Sequence, residues 1–348
     1  MDLEHGRHQG KEESFAVSFE ALLFFRILIF PGFLFLFFFA LFCDWFERKL
    51  MARMQNRMGP SYTGPFGILQ PLADYIKLLT KEDIIPEHAE KLLFVLTPFF
   101  SFSIFMLSVF YFPIDGLNVF FDVGFEGDLV FVLALVTFAH FALFLSGWAS
   151  RNIYCGIGAV RILTQFIGYD VPLLILAIGP AFVAGSLSLT KIASIQNIPF
   201  ALLIPWVFAP FLLALQAELE EDPFDIPHAE TEIVAGYGTE FSGRKFAFIR
   251  LSKDIQIVFG AVLTVTLFLG GPYGPVFFGQ PSIWFTVWFV IKTLLVISIF
   301  EFVEAVCARL RIDYVVKANW RFMIPLAILC VALTVFCMPF IQSLMVVV

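Results

Sequence analysis

Charge is scarce in this sequence. Only 15% of its 348 residues are Asp, Glu, Lys or Arg, against roughly 25% in soluble domains, and the mean hydropathy is +0.88, which excludes an ordinary water-soluble globule. Paired cysteines are lacking too. Cys43, Cys155, Cys307, Cys330 and Cys337 are scattered without a CxxC, which excludes a zinc or haem signature, a disulfide framework, and an iron–sulfur centre held by this chain alone. No GxSxG, GxGxxG, phosphate-binding loop or HExxH occurs, so the sequence carries no recognisable catalytic motif, and neither a metal site nor a nucleic-acid partner is expected. The alternating pattern of a membrane barrel is also missing, which leaves a helical bundle as the fold class.

What the sequence does have is apolar length. Eight stretches approach the ~20 residues that a helix needs to cross ~30 Å of hydrocarbon: 21–43, 92–112, 129–149, 162–185, 200–217, 249–270, 283–300 and 322–344. The expectation is an all-α, polytopic membrane bundle of about eight helices, one domain over 21–348 behind a polar tail at 1–20. The first stretch is too long for a signal-peptide core and lacks a small-residue cleavage site, so a retained helix is expected. Loops fall at about 44–91, 150–161, 218–248 and 301–321. Counted by connection, Lys and Arg number thirteen in the odd-numbered loops and one, Lys191, in the even-numbered ones. The positive-inside rule then puts the long loops in the cytoplasm and both termini outside, in a multi-pass protein of the cell membrane.

The first long loop is not a plain linker. Trp45, Phe46, Leu50, Met51 and Met54 stand beside a row of bases, the pattern of a helix lying in the membrane interface, and a short amphipathic helix is expected from near Pro71. The fifth loop is acidic: "ELEEDPFDIPHAETEIVAGYGTEFSG", from Glu218 to Gly243, holds eight carboxylates and no Lys or Arg.

Inside the spans or at their ends lie Arg26, His140, Arg161, Asp170, Glu218, Arg250, Lys253, Asp254, Lys292, Glu301, Glu304 and Arg321. An ionisable group near the bilayer centre costs on the order of 3 kcal/mol, so each is a functional candidate. Arg161, Arg250, Arg321, Glu301 and Glu304 sit where a side chain can also snorkel to the headgroups. Lys292 and Asp170 have long apolar flanks and are expected to face the bundle interior. Arg161, Gln165 and Tyr169 recur at i, i+4, i+8 with Asp170 adjacent, and Glu301 and Glu304 share a face at i, i+3. Such stripes act either as ion relays or as hydrogen-bond glue between helices, and spacing alone leaves both open. His140, alone among Ala, Phe and Leu, reads as a satisfied core histidine.

In this order the motifs resemble a known family, the H subunit of respiratory complex I and its relatives in membrane-bound hydrogenases. The segment from Glu47 to Pro86 looks like that family's first cytoplasmic loop almost throughout; Ser146 to Ser150 and Tyr169 to Pro172 match its third and fourth spans, with Asp170 where many relatives have Glu; Pro223 to Gly243 resembles its acidic loop. The resemblance implies a subunit without catalysis of its own at the heel of an L-shaped oxidoreductase, where buried carboxylates begin a charged path to ion pumps. The implied partners are peripheral-arm iron–sulfur subunits, hydrogenase-like large and small subunits, and antiporter-like and other small membrane subunits, all in a lipid bilayer. By that analogy Asp170, Glu218, Glu220, Glu230, Glu232, Lys292, Glu301 and Glu304 are the coupling candidates. Arg48, Arg53, Arg57, Arg161, Arg250, Lys253 and Asp254 are the candidates for charge pairing, and Pro223, Phe224, Asp225, Pro227 and His228 form the loop motif.

Departures from the family pattern carry information as well. Quinone-reducing relatives commonly have a basic residue before the PFD motif, where this chain has Glu220, Glu221 and Asp222, and a Glu where this chain has His228. With Arg250, Lys253 and Asp254, these resemble the hydrogenase and sulfur-reductase branch. The expectation is therefore a subunit of a hydrogenase-like or sulfur-reducing assembly moving H+ or Na+, with iron–sulfur clusters and a nickel–iron site held by partners. A quinone-reducing dehydrogenase subunit lining a quinone cavity is the alternative, followed by a stand-alone transporter and a structural anchor.

Overall fold

A computed structural model describes residues 20, 22–120, 126–227 and 230–347. The polar tail 1–19 and His228 lie outside the described residues, and of Glu230 only the backbone is described. Helical turns over 22–28 break at Phe30-Pro31-Gly32, and α1 then runs from Phe33 to Met54. The break needs glycine, because a Cβ at Gly32 would stand 1.9 Å from the Ile27 carbonyl oxygen. Trp45 to Met54, expected as a separate interfacial helix, are the last turns of α1, since no Gly or Pro interrupts the run before Gly59. The amphipathic helix expected near Pro71 is α2, Gln70–Thr80, with Pro71 in its first turn, where its missing N–H costs nothing.

α3 spans Lys91–Phe110 and α4 Asp128–Ala149. α5, Ile153–Ala184, starts at Asn152, whose side chain accepts a hydrogen bond from the Tyr154 N–H at 2.9 Å, and stops at Gly185 in the left-handed conformation. α6 covers Leu189–Ile195. The fifth expected span is broken into α7, Phe200–Leu203, and α8, Pro205–Glu218. The residue before a proline is pushed out of the helical region, and Ile204 sits at φ −129°, ψ 57°. At 14 residues α8 is about 21 Å long, less than the hydrocarbon thickness. Beyond it lie α9 (Glu230–Ile233), α10 (Gly243–Phe268), α11 (Pro281–Val306), α12 (Ile312–Ala318) and α13 (Ile324–Val347), the last joined to α12 by a π turn over Asn319–Met323. Seven helices among the described residues are therefore long and apolar enough to cross a membrane, against the eight expected.

α10 is the pillar of the bundle. Every residue from Ile255 to Phe268 is buried, and α10 packs against α1, α2, α3 and α11. α5 forms a second axis against α4, α8 and α13. From Ile255 onward α10 has no lipid face, whereas α5 exposes Ile153, Tyr154, Ile157, Val160, Ile167 and Val171 and turns its polar residues to the bundle.

The connections sort into two latched ends. At one end the Glu90 N–H donates to the Ala149 carbonyl, the Ile84 N–H to Ser242 Oγ and the Leu310 N–H to the Pro223 carbonyl. Ion pairs Arg151–Glu90 and Lys245–Asp83 reinforce these bonds, as does a hydrogen bond from Asn152 to Glu240. All four odd-numbered loops are thereby joined. At the other end the Leu129 N–H donates to the Leu187 carbonyl, Arg26 grips Asp115 through two 2.9 Å bonds, and Tyr273 Oη donates to the Gly116 carbonyl.

Candidate functional site

The acidic segment is held by its own main chain. Gln165 on α5 donates to the Phe224 carbonyl at 2.8 Å and to Ala217 at 3.1 Å; Gln216 on α8 donates to Asp222 at 3.1 Å and to Phe300 on α11 at 3.3 Å. Arg161 reaches the Ile226 carbonyl, and Leu310 takes that of Pro223. Buried carbonyls need such donors, because an orphaned one costs about 1–3 kcal/mol. The i, i+4, i+8 stripe on α5 therefore faces the acidic segment, and at least its first two members hold that segment in place.

The turn after α8 joins two groups of ionisable residues, since Glu220 lies within electrostatic reach of both His140 and Lys253. Glu220 has φ +54°, a left-handed conformation rare outside glycine, and it reverses the chain between Glu218 and Glu221. Glu218 and Glu220 are buried and lie within electrostatic reach of His140, Tyr169 and Asp170. His140, on α4, is fully buried; its Nδ1 lies 2.9 Å from the Val136 carbonyl and 3.3 Å from Glu218 Oε1. Gln256, from α10, stands 3.0 Å from His140 Nε2 and donates to the Glu218 carbonyl at 2.7 Å.

Glu221 turns the other way. It pairs with Lys253 at 3.2 Å on the wall of a cavity of about 350 Å³. Asp44 and Glu47 from α1, and Arg250, Lys253 and Asp254 from α10, supply the rest of its charge, and Phe246, Ile249, Ile257 and Ala235 its apolar side. Glu301 and Glu304 on α11 lie within electrostatic reach of Glu221. Carboxylates thus outnumber bases around the cavity, and their mutual repulsion makes proton or cation occupancy sensitive to any charge that arrives. Asp44 and Glu47 were not among the candidates read from the sequence. Their i, i+3 spacing, on a helix whose bases crowd other positions, was the available signal.

The remaining candidates are placed elsewhere. Glu232 bridges Arg161 at 2.6 Å and Arg309 at 2.8 Å; the hydrogen bond from Arg161 holds its carboxyl below the ordinary glutamate range. Burial, helped by Asp225, pushes the Asp222 carboxyl up. Arg48 pairs with Asp44 at 2.6 Å and Asp74 at 2.8 Å, so it bonds to α2 rather than to the acidic segment. Burial opposes ionisation of Asp74, yet the bonds from Arg48 and Gln70 outweigh it and hold that carboxyl low. Arg53 and Arg57 are exposed. Pro223 and Pro227 are buried, and Phe224 and Asp225 half-buried, in the tied segment. Lys292 lies at the opposite end of the bundle, where its Nζ donates to the carbonyls of Leu269, Gly271 and Tyr273 at 2.7, 3.0 and 2.7 Å. It satisfies the orphaned carbonyls after α10 and is not brought together with the carboxylate groups.

Comparison with known proteins finds similarity over most of the chain. A family model described as NADH dehydrogenase matches residues 27–335. The H subunit of the NADH-quinone oxidoreductase of Dehalococcoides mccartyi (strain CBDB1) is 40% identical over 293 residues, covering 84% of this chain and 80% of that protein. Its counterpart in Thermomicrobium roseum is 40% identical over 311 residues, covering 83% and 89%. The counterpart in Syntrophotalea carbinolica is 38% identical over 297 residues, covering 83% and 88%.

Proposed function

The chain belongs to the NADH dehydrogenase family, and from that membership we propose that it couples electron transfer in partner subunits to ion movement through its own carboxylates. One observation carries the reading: the turn at Glu220 puts Glu218 deep against His140 and Glu221 half-buried on the charged cavity, with Glu220 within electrostatic reach of both His140 and Lys253. A charge change at the cavity alters the proton occupancy of Glu221 and its neighbours, and three residues of backbone carry the effect to Glu218. Side chains of this chain bind and pass the ion, while partners hold the redox centres. The odd-numbered loops face the cytoplasm in this proposal, as their basic charge requires.

The acceptor we propose is a quinone. The relatives are named NADH-quinone oxidoreductases, and the cavity, with its apolar side and two bases, falls within the ~300–1,000 Å³ typical of small-molecule sites. Arg250 and Lys253 would face a quinone's carbonyl oxygens, and Phe246, Ile249 and Ile257 its ring; the quinone would supply two-electron acceptance linked to protonation. The pairing of Lys253 with Glu221 favours a second reading, since it occupies a base that an acceptor oxygen would use. There the hydrogenase-like or sulfur-reducing assembly expected from the acidic run stands in place of a quinone reductase.

The intact complex, purified in mild detergent and reconstituted, tests both points. Glu221→Gln and Asp170→Asn should each leave assembly and electron transfer in place while ion pumping per electron falls several-fold. Unchanged pumping in both variants would refute the coupling role. Reduction of a short-chain quinone supports the first acceptor, and hydrogen or sulfide production without quinone reduction supports the second.

A further inference from the structure

The His140 contacts define a protonation state. The Val136 carbonyl, 2.9 Å from Nδ1, can only accept, so Nδ1 carries a hydrogen bonded to it, with Glu218 Oε1 3.3 Å away. The Glu218 main-chain carbonyl, 2.7 Å from Gln256, also only accepts, so the Gln256 amide points its NH2 that way. The same NH2 then meets His140 Nε2 at 3.0 Å and can only donate to it. His140 is thereby held as the neutral Nδ1–H tautomer. Phe166 stacks on the ring at 5.8 Å and Phe105 meets it edge-on at 5.5 Å, so the ring keeps its plane.

We propose that His140 is a proton-holding partner of Glu218, with the Gln256 amide as the switch between its two states. In the first state neutral His140 donates Nδ1–H to the Val136 carbonyl, with the Glu218 carboxylate 3.3 Å from the same nitrogen, and accepts from Gln256. In the second, Gln256 turns its amide over and gives up the bond to the Glu218 carbonyl; Nε2 takes one proton and donates it to Gln256 Oε1. The imidazolium then stands against the carboxylate, and the pair has gained one proton and lost its net charge. The reverse turn releases that proton. Glu218 Oε2 is buried with no hydrogen-bond partner. Such a buried polar atom calls for ordered water, which supplies a way in for the proton. The ionisable groups facing His140 are Glu218 and Glu220 from the end of α8 and Asp170 from α5, with Tyr169 beside them. The inference rests on the coupling role proposed above.

Asn at position 140 keeps a donor near Nδ1 and cannot take a proton. In the reconstituted complex His140→Asn should keep electron transfer and flatten the pH dependence of ion pumping per electron. Gln256→Met removes the lock without touching the histidine and should move the midpoint of that pH profile by about one unit, a tenfold change in proton affinity. A wild-type pH profile in either variant would overturn the proposal, since a packing role alone leaves the profile in place. Glu218→Gln separates the two readings. Unchanged pumping there removes the coupling role itself, whereas lost pumping with a wild-type profile in His140→Asn removes only the part assigned to His140.

Discussion

Glu232 shows how a single side chain can change meaning between sequence and structure. The acidic motif marks it as a coupling candidate, yet its two carboxylate oxygens are held by Arg161 from α5 and Arg309 from the loop after α11. Its pKa is lowered in the folded chain, so the tie it makes is complete above the ordinary glutamate value of ~4.3 and is lost only as pH falls through the depressed one. Protection of residues 222–227 and 230–234 from hydrogen exchange, relative to the intrinsic rate at each pH, should therefore stay flat from neutral pH down to about 5 and fall below ~4. Glu232→Gln should raise exchange at neutral pH by itself; equal protection in the variant would show that the tie does not order the segment. Asp170 and Glu218 were legible as interior acids because apolar flanks and motif context point to them, and the structure buries Glu218 and half-buries Asp170. The partnership of Glu218 with His140 was not, since the two meet only when α4 and α8 pack, and nothing in the flanks of a lone histidine records that.

Among the elements, α5 depends on close approach as well as on its polar stripe. A Cβ at Gly158 would lie 2.6 Å from the Tyr237 nitrogen and 2.9 Å from the Gly236 carbonyl carbon, both backbone atoms that cannot rotate away. Gly158→Ala should destabilise the chain by about 1–3 kcal/mol, the usual cost of overpacking, measured as a lower midpoint for thermal loss of the detergent-solubilised complex. An unchanged midpoint would mean that the 236–238 turn has room to move. The α5 stripe was readable from its period, and so was α2 from Pro71 and its amphipathic pattern. The broken fifth span was harder to read, because the apolar run continues through Ile204 and Pro205 and hydropathy carries no backbone angle. α1 was misdivided for a related reason: its bases suggested a boundary, while a helix end needs a capping residue or a breaker, and neither stands before Gln55.

For the whole molecule, the two latched ends give the chain a polarity that can be labelled. Tyr62 and Phe278 are exposed at opposite ends. In a Cys307→Ser background, chosen because Cys307 is exposed, Tyr62→Cys and Phe278→Cys should react with an impermeant maleimide from opposite sides of membrane vesicles. Positive-inside topology assigns Tyr62 to the cytoplasmic side, and labelling of both from one side would overturn the arrangement. The odd–even division of charge was legible from loop counts alone. The joining of the loops was not, because it runs through main-chain carbonyls that no side-chain pattern encodes. That feature has a genetic consequence. Gln165 and Gln216 stand on different helices yet grip the same segment two residues apart, so removing either frees what the other was holding. The double variant Gln165→Leu with Gln216→Leu should cost less than the two single variants together, by roughly 0.5 kcal/mol or more. Suppressors of a lesion in one helix are then to be sought in its neighbours, at the residues that hold the shared segment.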